Sequence, residues 1–87
     1  MSFEFDQAKS AANRAKHGVD FVAAQAIWKD PDRLEVPARS VDEPRTQVLG
    51  RIDGVLWSAF VTARESRLRI ISVRRARDEE EAAYLDS

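Results

Sequence analysis

The stretch from Arg64 to Ala76 restricts the fold of this chain more than any other segment. It contains Leu68, Ile70, Ile71 and Val73 and lacks Gly and Pro, a composition typical of a β-strand. In a regular strand, Leu68 and Ile70 point to one face, and Ile71 and Val73 point to the other. A strand that is apolar on both faces is usually covered on both faces. The sequence therefore predicts a central strand with structure packed on each side of it.

Five arginines surround this apolar segment: Arg64, Arg67, Arg69, Arg74 and Arg75. A stiff strand with arginine at its end is suited to holding a phosphate, because a guanidinium group binds oxygen anions in a bidentate way. Alternatively, these side chains pair with the many carboxylates nearby, as exposed charges commonly do. Consecutive strand residues point to opposite faces, so Arg74 and Arg75 cannot bind one ligand as a pair unless the strand ends or bulges there.

Length and composition indicate one small globular domain spanning residues 1–87. The chain is 44% hydrophobic and 33% charged, which favours a folded over a disordered protein. It has no cysteine, as is common in a reducing cytoplasm, and its apolar runs are too short to span a membrane. Net charge is −1, yet residues 64–77 hold six arginines and one acid, whereas residues 78–87 hold five acids and no base. A basic patch therefore adjoins an acidic tail.

Hydrophobic periodicity and turn residues predict an α+β fold. The expected sheet is a small antiparallel one of about four strands plus a short N-terminal strand. Two N-terminal helices pack on one of its faces, and a third helix ends the chain. The predicted elements are a strand over 2–6, helices over 7–16 and 21–28, a brief strand at 34–36, a loop over 37–44, strands over 45–52, 55–62 and 64–76, and a helix from 78.

The sequence contains no motif for a metal site or for a glycine-rich phosphate-binding loop. One His and no Cys give no metal-ligand motif, and three scattered glycines give no phosphate loop, so we expect no metal and no cofactor. The remaining candidates are Lys16 and His17 with Arg64, Arg74 and Arg75. Such a set fits metal-free RNA cleavage, which needs a general base, a general acid and cations for the charge that builds on the phosphate. Alternatively, His17 is only a surface or helix-capping residue. In the catalytic hypothesis itself, Lys16 could replace His17 as the general base if burial lowers its pKa.

Two strings of residues carry a family resemblance. The first is Lys16-His17-Gly18-Val19 with Phe21, preceded by Phe3-Glu4-Phe5-Asp6 and followed by Asp30-Pro31. The second is Arg69-Ile70-Ile71-Ser72-Val73-Arg74-Arg75-Ala76, preceded by Glu43-Pro44-Arg45, Gly50-Arg51 and Thr62-Ala63-Arg64. Together they cover nearly the whole chain in order and resemble the BrnT toxins of bacterial type II toxin–antitoxin systems.

The resemblance implies a RelE-like ribonuclease fold and a cytoplasmic toxin that blocks translation by cutting RNA. It implies a BrnA-type antitoxin with a ribbon-helix-helix DNA-binding end, which joins two toxins into a heterotetramer. Operator DNA would be bound only through that antitoxin, and no membrane would be involved. By the match, Lys16, His17, Arg64, Arg74 and Arg75 line the active site, while Glu43, Arg45 and Arg69 contact the substrate.

The last helix departs from the family pattern. It is often basic in BrnT proteins, whereas here it opens with Asp78, Glu79, Glu80 and Glu81. This acidity disfavours RNA close to the helix. The alternative function is therefore a catalytically weak or inactive RelE-like module that binds a DNA-binding antitoxin and acts as its co-repressor.

Overall fold

A computed structural model describes residues 2–39 and 43–87. Residues 40–42 of the predicted 37–44 loop lie outside this part. In chain order the elements are β1 (Ser2–Glu4), α1 (Gln7–His17), a 3₁₀ helix (Ala23–Lys29), β2 (Leu34–Ala38), β3 (Arg45–Ile52), β4 (Val55–Arg64), β5 (Arg67–Arg75) and α2 (Asp78–Asp86). The predicted α+β class is confirmed.

The five strands form one mixed sheet in the order β1-β5-β4-β3-β2. Strands β2 to β5 pair antiparallel, as predicted, but β1 pairs parallel with β5. The prediction of an antiparallel sheet is therefore wrong at this edge. The chain leaves β1 directly into α1, and the later meander returns β5 beside β1 in the same direction.

The second N-terminal helix, predicted over 21–28, is a 3₁₀ helix over Ala23–Lys29. Its fully buried residues Ala24 and Ile27 are three positions apart. A 3₁₀ helix has 3.0 residues per turn, so this spacing puts both side chains on one side, against the sheet. The Asp20 carboxylate accepts the backbone N–H groups of Val22 and Ala23 at 3.0 and 2.8 Å and fixes the start of the segment.

The sheet face covered by α1 and the 3₁₀ helix, named here the α1 face, carries the larger core. Buried apolar side chains of the 3₁₀ helix, of the segment before it and of strands β3 to β5 meet there, including Ile27, Phe21, Val48 and Val73. The buried residues of α1 itself are the polar Ser10 and Asn13. Gly50 permits the close approach of the 3₁₀ helix, since a Cβ atom at this position would lie 2.7 Å from Ile27 Cγ2. The larger hydrophobic core of the protein therefore lies between the sheet and the elements on its α1 face.

The opposite side, named here the α2 face, carries a smaller cluster in which Tyr84 of α2 packs on Leu49 and Leu56. The Tyr84 hydroxyl donates to Asp30 Oδ2 at 2.6 Å, which anchors α2 to the turn after the 3₁₀ helix. This hydrogen bond is the largest cause that raises the pKa of Tyr84 to about 12. Helix α2 therefore covers one part of this face at a fixed position.

A bulge in β5 changes the predicted orientation of its side chains. Phe60 pairs with Ser72 but the next residue of β4, Val61, pairs with Ile70, so Ile71 is an extra residue. Ile70 and Val73 consequently both enter the core of the α1 face. The prediction that these two side chains point to opposite faces is wrong because one inserted residue reverses the alternation.

Candidate functional site

Arginine side chains are concentrated on the α2 face of the sheet. The alternation that buries Val48, Ala59 and Val73 on the α1 face turns their sequence neighbours the other way. Six arginines from three strands reach the α2 face in this register: Arg45 and Arg51 of β3, Arg64 of β4, and Arg67, Arg69 and Arg74 of β5. The sheet thus presents a basic surface on the side that α2 covers only in part.

Arg74 donates three hydrogen bonds through its side chain, two of them to one carboxylate. Its Nη1 and Nη2 atoms donate to Glu80 Oε1 and Oε2 of α2, each at 2.8 Å. Gln47 Nε2 donates to the same carboxylate at 2.6 Å and to the buried Ser58 Oγ at 2.8 Å. The Glu80 side chain is only 15% exposed. A network across β3, β4, β5 and α2 therefore holds the guanidinium in one orientation.

Phe60 lies beside this network at the middle of the sheet. It pairs with Gln47 of β3 and with Ser72 of β5. The Arg74 guanidinium carbon lies 5.3 Å from the centre of its half-buried ring, within the range of a cation–π contact. A flat apolar side chain thus adjoins the cationic group on the same face.

Arg64 and Arg69 lie toward the other end of the α2 face. Arg64 pairs with Arg67 at the β4–β5 turn, where a cleft is lined by Glu4, Arg64, Glu65, Ser66 and Arg67. Arg69 Nη1 donates to Glu4 Oε2 at 2.9 Å. At the usual rise of a β-strand, the β4–β5 turn lies about 20 Å from Arg74 along the sheet. The structure therefore places Arg64 and Arg74 on one face but not side by side.

The other three predicted catalytic residues belong to the α1 face. Lys16 and His17 end α1, and Arg75 lies beside Trp57, with its guanidinium carbon 5.7 Å from the ring centre. Within residues 2–39 and 43–87, none of the three forms an ion pair. The catalytic set expected from the sequence is thus divided between two faces, and the role of these three residues stays a prediction.

Arg45 is the first residue of β3 and Glu43 lies two residues before it, and both are half-buried. The substrate-binding roles predicted for them and for Arg69 remain predictions.

Sequence reasoning missed Gln47, Ser58, Phe60 and Glu80 as members of this surface. The strand period was the available signal for the first three, because they share a face with Arg74 once the register of β3, β4 and β5 is known. Glu80 was recognised only as a first-turn acid of α2. Its pairing with Arg74 depends on how α2 folds back on the sheet, which no local pattern specifies.

The Arg74–Glu80 pair makes the free energy of unfolding of the protein depend on pH in the acidic range. Hydrogen bonds from Arg74 lower the pKa of Glu80 from 4.5 to about 2, and Arg77 N–H and Gln47 add to the effect. A lowered carboxyl pKa contributes stability that is complete above the unfolded-state value and is lost as pH falls through the folded-state value. We expect the stability advantage of wild type over Glu80→Gln to be constant above pH 4.5 and to vanish as pH approaches 2.

Urea unfolding of both proteins between pH 2 and pH 7 measures this difference, with Glu79→Gln as the control for one exposed acid in the same helical turn. A difference that persists unchanged at pH 2 would contradict the assignment.

The fold and this surface define a class: a small α+β domain with an arginine-lined sheet face suited to phosphate groups. A family model described as ribonuclease toxin, BrnT, of type II toxin–antitoxin system matches residues 5–80. The chain belongs to this BrnT family, as its sequence motifs predicted. Membership identifies a ribonuclease toxin with an RNA target and an antitoxin partner. A search among curated proteins found no significant match.

No helix in residues 2–39 and 43–87 is both long and apolar enough to cross a bilayer. In the same residues, no three His, Asp or Glu side chains converge in a way that could hold a metal ion.

Proposed function

We propose that this chain is a metal-independent endoribonuclease toxin that inhibits translation by cutting RNA in the cytoplasm. Residues 1–87 would form one BrnT-like domain with a RelE-like fold. The observation that carries the proposal is the arginine surface on the α2 face, in a chain whose family consists of ribonuclease toxins. Arginine binds phosphate oxygens in a bidentate way, and a sheet keeps such groups in place.

The proposed reaction is attack by a ribose 2′-hydroxyl on its own 3′-phosphate, with departure of the next 5′-oxygen. It leaves a 2′,3′-cyclic phosphate and a 5′-hydroxyl. Negative charge accumulates on the non-bridging oxygens in the transition state, and a fixed guanidinium group stabilises it. Arg74 is assigned this role, because its fork is rigidly oriented. Arg45, Arg64 and Arg69 bind phosphates farther along the same RNA, and Glu43, just before β3, contacts the substrate.

A second arrangement of the same reaction uses the α1 face. There Lys16 or His17 is the general base and Arg75 the phosphate ligand. It is favoured by a difference in ion pairing between the two arginines. Arg74 pairs with Glu80, whereas Arg75 forms no ion pair in the described part of the chain. Single substitutions of Arg74 and Arg75 separate the two arrangements.

We propose a BrnA-type antitoxin with a ribbon-helix-helix end as the partner. Its dimerisation would join two toxins into a heterotetramer, and operator DNA would be bound through the antitoxin alone. The support is the type II family, in which a protein antitoxin neutralises the toxin.

A second candidate function is a non-cleaving module that serves as co-repressor with its antitoxin. It is favoured by the Arg74–Glu80 pair, since a guanidinium group whose two terminal nitrogens both donate to an internal carboxylate is not free for phosphate. Tight antitoxin binding without RNA cleavage at any dose is the expected behaviour of such a module.

The test of the proposed activity is digestion of RNA by the purified protein in excess EDTA. We expect cleavage to continue at an unchanged rate and to leave 2′,3′-cyclic phosphate ends, whereas the same sequence carrying 2′-fluoro sugars stays intact because it has no nucleophile. Cleavage that stops with EDTA, or that leaves 5′-phosphates, would overturn the metal-independent mechanism. Intact RNA at all doses would support the co-repressor function.

A further inference from the structure

Four hydrogen-bond donors converge on the carboxylate of Glu80. Two come from the Arg74 guanidinium at 2.8 Å, one from Gln47 Nε2 at 2.6 Å and one from the Arg77 backbone N–H at 2.8 Å. Ser58 is fully buried and accepts the second Gln47 N–H at 2.8 Å, which fixes the direction of the amide. The donors therefore form a preorganised cradle for a group with at least two anionic oxygens.

A phosphodiester satisfies the requirements of this cradle. It carries one negative charge and two non-bridging oxygens, as a carboxylate does, and the arginine fork matches either group. Most of the donors belong to the sheet: Gln47 to β3 and Arg74 to β5, with Ser58 of β4 behind them. Contacts that do not involve Glu80 position both side chains: Ser58 Oγ accepts from Gln47, and the Arg75 carbonyl oxygen and the Phe60 ring contact the Arg74 guanidinium group.

We propose that Gln47 and Arg74 form a phosphate-binding subsite that the Glu80 carboxylate occupies in the free protein, so that an RNA phosphate binds there by displacing it. This inference rests on the proposed function and adds to it a substrate ligand, Gln47, and an internal competitor. RNA then binds only the fraction of molecules in which the subsite is open, which weakens its apparent affinity by that fraction. Helix α2 itself stays anchored through the hydrogen bond between Tyr84 and Asp30.

The test compares Glu80→Gln with Glu79→Gln by measuring affinity for a 2′-fluoro RNA oligonucleotide, which is not cleaved. Both variants remove one acid from the first turn of α2, but Glu79 is exposed and accepts none of the hydrogen bonds of the cradle. We expect Glu80→Gln to tighten binding about fivefold, in line with the modest strength of partly exposed ion pairs, and Glu79→Gln to change it less than twofold. Far-ultraviolet circular dichroism checks that each variant is folded.

A double-mutant cycle with Arg74→Ala separates local competition from general charge. If Glu80 competes for the Arg74 subsite, the fivefold gain disappears when Arg74 is absent. The inference is overturned if Glu80→Gln weakens binding, if it matches Glu79→Gln, or if its gain persists in the Arg74→Ala background. If wild type and Arg74→Ala bind the oligonucleotide equally, the proposed site on the α2 face fails as well.

Glu80→Asp supplies a second variant that keeps the charge. The shorter side chain cannot reach both Arg74 and Gln47 with the same geometry, so its occupation of the subsite is weaker. We expect an affinity for the 2′-fluoro oligonucleotide between those of wild type and Glu80→Gln, and a value equal to wild type counts against competition by the carboxylate.

Discussion

Replacement of Arg74 with alanine is expected to lower the rate of RNA cleavage by about 10²–10³-fold, the usual loss when one fixed donor to a developing oxyanion is removed. The physical reason is the position of the guanidinium group. The Phe60 ring and the Arg75 carbonyl oxygen contact the Arg74 guanidinium group independently of Glu80, so its charge stays in place once the carboxylate has been displaced. The measurement is kcat/KM on a short RNA, together with loss of growth arrest on induced expression.

Arg75→Ala is the matched comparison for this prediction. It removes the same side chain one residue later, but from the opposite face of the sheet, where Arg75 lies over Trp57. We expect a loss within about threefold, as for an exposed charge outside the site. A large loss with Arg75→Ala and a small one with Arg74→Ala would instead assign catalysis to the α1 face, with Lys16 and His17. If both variants were as active as wild type, neither the α2 face nor the α1 face could be the catalytic site as proposed.

Arg74→Lys tests whether the fork itself is needed. Lysine keeps the positive charge but binds as a point donor and cannot make two parallel hydrogen bonds. Activity is therefore expected to fall close to the alanine level if bidentate geometry matters. Activity near that of wild type would indicate that charge alone suffices.

The local elements of this fold were predictable because short-range chemistry determines them. Asp6 caps α1 by accepting the Lys9 N–H at 3.0 Å, and Gly18 ends the helix at a φ of 86°. Asp53 and Gly54 turn between β3 and β4 with φ values of 50° and 81°. Each residue type suits its position for reasons that involve only its neighbours in sequence.

The long-range features of the fold were not predictable in the same way. The parallel pairing of β1 depends on where β5 returns after sixty residues, and the bulge at Ile71 depends on register with β4. The distribution of the predicted catalytic residues over two faces of the sheet also depends on long-range packing. Strand alternation did predict that Arg74 and Arg75 face opposite ways, but which face α1 covers became known only from the folded chain.

Asn13 joins α1 to strand β5 of the sheet through two side-chain hydrogen bonds. It is buried, and its Nδ2 donates to Val19 O at 2.8 Å and to Val73 O at 2.9 Å. Its Oδ1 accepts the Val73 N–H at 3.2 Å. Strand β1 pairs with β5 only as far as Arg69, so no strand of residues 2–39 and 43–87 lies beside this edge of β5 at Val73. The Asn13 amide replaces that strand by satisfying both backbone groups of Val73.

Asn13→Ala is therefore expected to destabilise the protein by about 3–5 kcal/mol, because three buried backbone groups lose their partners at once. For a domain of this size, such a loss lowers the melting temperature by about 15 °C or more. Calorimetry or urea unfolding measures the change, with Arg14→Ala, an exposed neighbour on α1, as the control. Asn13→Asp keeps the acceptor for the Val73 N–H but loses both donors and buries a charge, so it is expected to be no more stable than Asn13→Ala. A loss below 1 kcal/mol for either variant would mean that water or a local rearrangement satisfies the β5 edge, and that the side chain of Asn13 is not what joins α1 to the sheet.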